Sequence, residues 1–201
     1  MIGIVDYGMG NLQSLKNACE FLGEETEIVR ETDQLSSVSH LILPGVGAFG
    51  RGMENLEKLG MIPDLKRTIL EKGIPVLGIC LGMQLMAKMG TEWGEHEGLG
   101  LIPGVVRRLN DNKVRLPHIG WNRLKLEREN PLITSDGIDY YFVHSYFFDA
   151  VNREDVIAVC EYGEPFPAAI SRQHIFGVQF HPEKSHKYGL EILKNFFNLS
   201  C

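Results

Sequence analysis

The segment Val76-Leu77-Gly78-Ile79-Cys80-Leu81-Gly82-Met83-Gln84-Leu85 admits few backbones. It joins an apolar run of strand character to a helical run through a turn with glycine two residues on either side of a cysteine. A turn that tight needs glycine where a Cβ would collide with the neighbouring chain, and it raises the central side chain clear of the backbone. This is the form of a nucleophile elbow, with Cys80 in the place of a serine. A thiol at the start of a helix also faces the positive end of the helix dipole, which favours the thiolate. For an arbitrary cysteine a buried structural thiol is the commoner role, and the flanking glycines reverse that preference.

Around the elbow the first half of the chain alternates short β-type runs with helical patterns. Ile2 to Val5 is a strand-like run ending in Asp6-Tyr7-Gly8-Met9-Gly10, after which Asn11 can cap a helix carrying Leu12, Leu15, Ala18, Cys19 and Leu22 until Gly23 stops it. Further strands are expected at Glu27 to Arg30, His40 to Leu43 and Pro75 to Ile79, with helices near Gly52 to Leu59, Pro63 to Lys72 and Leu81 to Met89. Such alternation predicts an α/β fold with a mostly parallel central sheet flanked by helices. From about Leu99 the segments Val105 to Leu109, Arg123 to Leu126, Tyr140 to Tyr146, Val156 to Cys160 and Ile175 to Phe180 predict additional antiparallel strands, and a last helix is expected near Tyr188 to Phe197. At 201 residues and 44% apolar content, a single domain over 1–201 is expected.

A second element carries chemistry. Phe176-Gly177-Val178-Gln179-Phe180-His181-Pro182-Glu183-Lys184-Ser185 brings a histidine, and an acid two residues later, to the end of an apolar run. Thiolate attack on an amide needs a base that later serves as the acid for the leaving amine, and a third group to orient it. His181 and Glu183 suit those roles; alone the motif is weak, and a solvated loop histidine is the plainer alternative. The Cys signatures of papain-like and caspase-like enzymes are absent. A third element, Leu41-Ile42-Leu43-Pro44-Gly45-Val46-Gly47-Ala48-Phe49-Gly50, runs a strand into a glycine-rich loop whose backbone N–H groups could meet an oxyanion. An ordinary turn is the alternative there, and the Gly-Lys-Ser/Thr ending of a phosphate-binding loop is missing.

The formal charge of −6 is spread along the chain without a basic block, which gives nucleic-acid binding little support. Cysteines at 19, 80, 160 and 201 form neither a disulfide framework nor a CxxC metal pattern. With no signal-like or membrane-spanning run, a cytoplasmic protein needing no metal or cofactor is expected.

In this order the three elements resemble the class I, triad-type glutamine amidotransferases, and the resemblance covers nearly the whole chain. Four blocks are similar to the glutaminase-subunit family of imidazole glycerol phosphate synthase: Val5-Asp6-Tyr7-Gly8-Met9-Gly10-Asn11, Pro44-Gly45-Val46-Gly47, Leu116-Pro117-His118-Ile119-Gly120-Trp121-Asn122 and Tyr141-Phe142-Val143-His144-Ser145-Tyr146. The resemblance implies a flavodoxin-like fold, a catalytic set of Cys80, His181 and Glu183, and an oxyanion loop of Gly45, Val46 and Gly47 that reorients where needed. It places substrate glutamine near Gly47, Gln84, Ser145 and Tyr146, although core polarity or capping would also explain Gln84. It further implies a heterodimer with a (β/α)8-barrel cyclase that receives the ammonia, with Asn11, Trp121, Tyr141 and Lys184 facing it. Core packing for Trp121, strand packing for Tyr141 and a solvated charge for Lys184 are the alternatives. Ile119 stands where methionine is common in the biosynthetic family. That leaves room for a paralogue feeding a different synthase, such as one amidating a surface-polysaccharide sugar. A non-catalytic module of the same fold and a hydrolase of other amides are the remaining alternatives.

Overall fold

The computed structural model describes residues 1–199 apart from 111 and 113; Cys201 lies outside the described residues. Strands β1 (Ile2–Val5), β2 (Thr26–Val29), β3 (His40–Leu43) and β4 (Val76–Ile79) lie parallel, joined by helices α1 (Leu12–Phe21), α2 (Phe49–Lys58) and α3 (Met61–Leu70). Asn11 caps α1, its Oδ1 accepting the Ser14 N–H at 3.2 Å. After the short α4 (Leu81–Leu85) come β5 (Met89–Gly90), β6 (His96–Glu97), β7 (Gly104–Arg108), β8 (His118–Leu126), β9 (Asp139–His144), β10 (Tyr146–Ala150), β11 (Val156–Tyr162), β12 (Glu164–Arg172) and β13 (Ile175–Val178), and α5 (His186–Phe197) closes the chain.

Among the described residues the main sheet runs β2-β1-β3-β4-β13-β12-β11-β8-β9. β13 is parallel to β4, and the strands beyond it are antiparallel. The expected architecture of a parallel core with an antiparallel extension is therefore present. Both faces of the parallel half are covered, as its near-continuous apolar strands require. Ile42 joins the core on one side, with Leu15 and Cys19 of α1 and Ile192, Leu193 and Phe196 of α5. Its neighbours Leu41 and Leu43 join the core on the other, with Leu56 of α2 and Leu65 and Ile69 of α3.

Four features depart from the sequence expectation. First, β10-β7-β5-β6 forms a separate small sheet. Second, the run Tyr140 to Tyr146 is not one strand. It breaks at Ser145, where the chain leaves the main sheet (β9) for the small one (β10), and the break puts Ser145 and Tyr146 at a corner. Third, α4 ends at Leu85 rather than Met89, because the Leu85 and Met86 carbonyls are taken by the N–H groups of Leu99 and Leu101 in a returning segment. Fourth, β12 was hidden by Pro165 and Pro167, which cannot donate to a ladder. Both prolines pair only with β11, in the stretch before β13 takes up its register at Ala169.

Candidate active site

The parallel pairing of β4 with β13 brings together residues far apart in sequence at one carboxyl edge of the sheet, where open α/β sheets place their ligands. Val178 pairs with Ile79, so the next residue of each strand, Gln179 and Cys80, emerges at the same level. The Cys80 N–H donates to the Val178 carbonyl at 2.8 Å. Cys80 has φ +53° and ψ −108°, a conformation that costs a non-glycine residue about 1–3 kcal/mol and persists only where the surroundings enforce it. Here the enforcement is steric. A Cβ on Gly82 would sit 1.7 Å from the Leu43 carbonyl oxygen, and one on Gly78 would sit 2.6 Å from the Met83 nitrogen. Both contacts are with backbone, which cannot swing aside. Gly82→Ala is therefore expected to lower stability by about 3 kcal/mol, measured by denaturant unfolding; a loss below about 0.5 kcal/mol would show that the elbow has room to spare.

His181 follows β13, held by its own N–H on the Tyr141 carbonyl at 2.9 Å, and by Ser185 Oγ, which donates to the His181 carbonyl at 2.6 Å. Its Nδ1 bonds Glu183 Oε1 at 2.8 Å, with both side chains buried. The carboxylate fixes the tautomer and ring orientation as an orienting acid should. Among the described residues, the buried side-chain nitrogen and oxygen atoms with no hydrogen-bond partner are His181 Nε2 and Glu183 Oε2. Burial opposes charge on this imidazole, but the neighbouring Cys80 sulfur and Glu183 carboxylate outweigh it and raise the group to about 9. His181 Nε2 is thus left without a hydrogen-bond partner on the side of the ring away from Glu183.

The glycine-rich loop occupies the other side of the sulfur. Leu81 N–H, the donor that a nucleophile elbow offers to an oxyanion, is bonded to the Gly45 carbonyl at 3.3 Å. In a planar trans peptide the C=O of residue 45 and the N–H of residue 46 point in opposite directions. With the Gly45 carbonyl turned toward the elbow, the Val46 N–H is turned away from it. In this conformation neither donor is presented, and rotation of the Gly45–Val46 peptide would release Leu81 N–H and bring in Val46 N–H together. Tyr7 Oη anchors the loop's base by donating to the Pro44 carbonyl at 2.6 Å.

A cavity of about 530 Å³ opens on Cys80, and Gly47, Gln84, Ser145 and Tyr146 line it along with His144 and Glu92. All four residues expected around a substrate therefore meet at one pocket. Gln84 is buried, and its Nε2 donates to the Tyr146 carbonyl at 2.8 Å and to Gln179 Oε1 at 3.0 Å, so core polarity is part of its role. A larger cavity of about 670 Å³ lies along β8 and β11. No histidine lines it, and its cysteine, Cys160, is kept a thiol by burial, pushed up to about 12.

Three of the four residues expected to face a partner, Trp121, Tyr141 and Lys184, lie against one another. Trp121 is 47% exposed, which excludes the core-packing alternative; it stacks on His186 at 4.9 Å and meets Tyr141 edge-on at 6.0 Å. Lys184 Nζ lies 5.8 Å above the Tyr141 ring and also lines the pocket on Cys80. Asn11 borders a small void shared with Gly45, His181 and Glu183. Sequence reasoning missed the buried pair His118 and His144, which are 3.1 Å apart (Nδ1 to Nε2), and the fully buried Gln179. A lone glutamine inside the apolar run before His181 was the available signal.

Comparison with known proteins agrees with this geometry. The family model for "Glutamine amidotransferase class-I" matches residues 3–199. A protein of Moorella thermoacetica named imidazole glycerol phosphate synthase subunit HisH is 44% identical over 200 residues, covering 98% of this chain and 94% of that one. A protein of the same name from Desulfitobacterium hafniense is 45% identical over 198 residues, covering 98% and 93%. Among solved structures, one described as a glutamine amidotransferase superposes with a TM-score of 0.76 at 22% identity, covering 98% of this chain and 96% of that one, a likeness of fold.

Proposed function

The chain belongs to the class-I glutamine amidotransferases, and from that membership we propose that it is the glutaminase subunit of an imidazole glycerol phosphate synthase, serving histidine biosynthesis. The observation that carries this reading is the unpartnered His181 Nε2 beside Cys80, at a strained turn that opens on a pocket with room for glutamine. Cys80 thiolate attacks the side-chain carboxamide carbon of glutamine, and His181, charged at neutral pH, gives its proton to the nitrogen that leaves as ammonia. The glutamyl thioester is then hydrolysed by water, which His181 deprotonates, releasing glutamate and the free thiolate. Glu183 holds the imidazole throughout. Gln84, Ser145 and Tyr146 position the substrate, and Val46 and Leu81 N–H stabilise the tetrahedral oxyanion once the Gly45–Val46 peptide has turned.

The proposed partner is a (β/α)8-barrel cyclase. Ammonia freed into neutral water becomes mostly ammonium and loses its nucleophilicity, so the product needs a sealed route to its acceptor. Trp121 and Ile119 sit two residues apart on one face of β8, and Val46 is also exposed, so large apolar groups lie open near the site. Asn11, Tyr141 and Lys184 complete the rim of the proposed interface. Among the described residues no helix is long and apolar enough to cross a membrane.

The experiment mixes the purified chain with candidate barrel synthases and follows glutamine consumption. A histidine-pathway cyclase with its nucleotide substrate is expected to form a heterodimer and to raise hydrolysis by at least about tenfold, within the usual range of coupling between sites. Complex formation and activation only with a synthase that amidates a sugar would assign the chain to the paralogous pathway. Full activity in the free chain would contradict the need to turn the oxyanion loop.

A further inference from the structure

Gln179 has no part in the mechanism above, yet its side-chain amide touches the reacting sulfur. Its Nε2 lies 3.6 Å from Cys80 Sγ, and the residue is fully buried between β13 and the elbow. The direction in which this amide points is decided by groups with no alternative. The Tyr146 carbonyl can only accept, so Gln84 Nε2, 2.8 Å away, must be the donor there. The same Nε2 is 3.0 Å from Gln179 Oε1, which makes that oxygen the acceptor and turns the Gln179 N–H group toward the sulfur.

The Tyr146 carbonyl is also held by His144, which His118 backs in turn. His144 Nδ1 lies 2.9 Å from it and must carry the proton. His144 Nε2 is then the acceptor for His118 Nδ1 at 3.1 Å. Burial favours the neutral form of both rings, pushing them down to about 3 and about 4, so this tautomer chain persists at physiological pH. The Tyr146 carbonyl thus accepts from His144 on one side and Gln84 on the other, and from Gln84 the donors run on through Gln179 to the sulfur.

We propose that Gln179 is a further catalytic residue, whose amide N–H donates to the Cys80 thiolate, stabilising it over the thiol and holding it toward His181. This rests on Cys80 being the nucleophile. A thiol is a poor acceptor and a thiolate a strong one, so the bond strengthens when the proton leaves. Among the described residues, the titratable groups around the sulfur include His181, with Glu183 on its far nitrogen, and Tyr7 from the loop after β1, while Glu92, His144, Tyr146 and Lys184 line the same pocket.

The test follows thiolate formation by the pH dependence of alkylation with iodoacetamide, using the full chain in a Cys201→Ser background. Cys19 and Cys160 are pushed up to about 12 and stay silent in the working range. Gln179→Met keeps the volume and removes the donor; its alkylation midpoint is expected about one unit above that of the parent, with glutamine kcat about tenfold lower and KM within about twofold. Coincident alkylation profiles would overturn the proposal. A second measurement needs no substitution: the Gln179 side-chain amide resonance should move at the pH where the thiolate absorbance appears, and lose that response in Cys80→Ala. An amide blind to that titration would overturn the proposal even if Gln179→Met failed to fold. Failure of the underlying assignment looks different, because Cys80→Ala would then retain glutaminase activity.

Discussion

Cys80→Ala is expected to abolish glutamine-dependent synthesis by the complex while leaving synthesis from added ammonia within about twofold of the parent. The two outcomes come from different parts of the assembly. Loss of the thiol removes the only group at the elbow able to form the acyl intermediate, and covalent catalysis has no substitute at that position. Ammonia supplied from solution bypasses the step. The substitution should not disturb the fold, because Cys80 holds its strained φ through backbone and steric contacts, its N–H on Val178 and the close approach of Gly82 to Leu43. The measurement is a paired assay of product formation with glutamine and with an ammonium salt at alkaline pH. Loss of both activities would contradict separate glutaminase and synthase roles.

His181→Asn is expected to lower glutamine hydrolysis by about 10²–10⁴-fold, the usual contribution of a positioned acid–base group. Its pH dependence is equally specific. The folded-state imidazole is raised from 6.5 to about 9, with burial opposing and Cys80 and Glu183 prevailing. The protonated form therefore stabilises the fold fully below the unfolded value, and that stabilisation is lost as pH rises through about 9. The unsubstituted protein should lose both stability and hydrolytic rate on that alkaline limb. Glu183→Gln withdraws one of the raising contacts and should move the limb to lower pH. Unfolding midpoints and kcat measured from pH 6 to 10 check both, and an alkaline limb unmoved by Glu183→Gln would show that the carboxylate does not control the imidazole.

Much of this site was legible in the sequence because its parts are local. Glycines flank Cys80 because Leu43 and Met83 backbone atoms occupy the space a Cβ would need, and a constraint of that kind leaves its mark on residue type. The His181–Glu183 bond spans two residues, so spacing alone suggested it. Long-range choices were not legible. The break at Ser145 depends on which of two sheets receives each half of an apolar run, and α4 stops where segment 99–101 claims its last carbonyls. The orientation of the Gly45 carbonyl toward Leu81 N–H is also a matter of two peptide torsions that no residue type records. Gln179 was passed over because a polar residue in an apolar strand declares itself only when its partners Gln84 and Cys80 are brought alongside.

The most direct measurement is acid quenching of the protein during turnover of glutamine, followed by mass analysis of the intact chain and its peptides. A glutamyl thioester on the peptide containing Cys80, absent from Cys80→Ala, is the predicted result. An acyl group on Cys19 or Cys160, or turnover with no acyl-enzyme under conditions that trap a known thioester, would contradict Cys80 as the nucleophile.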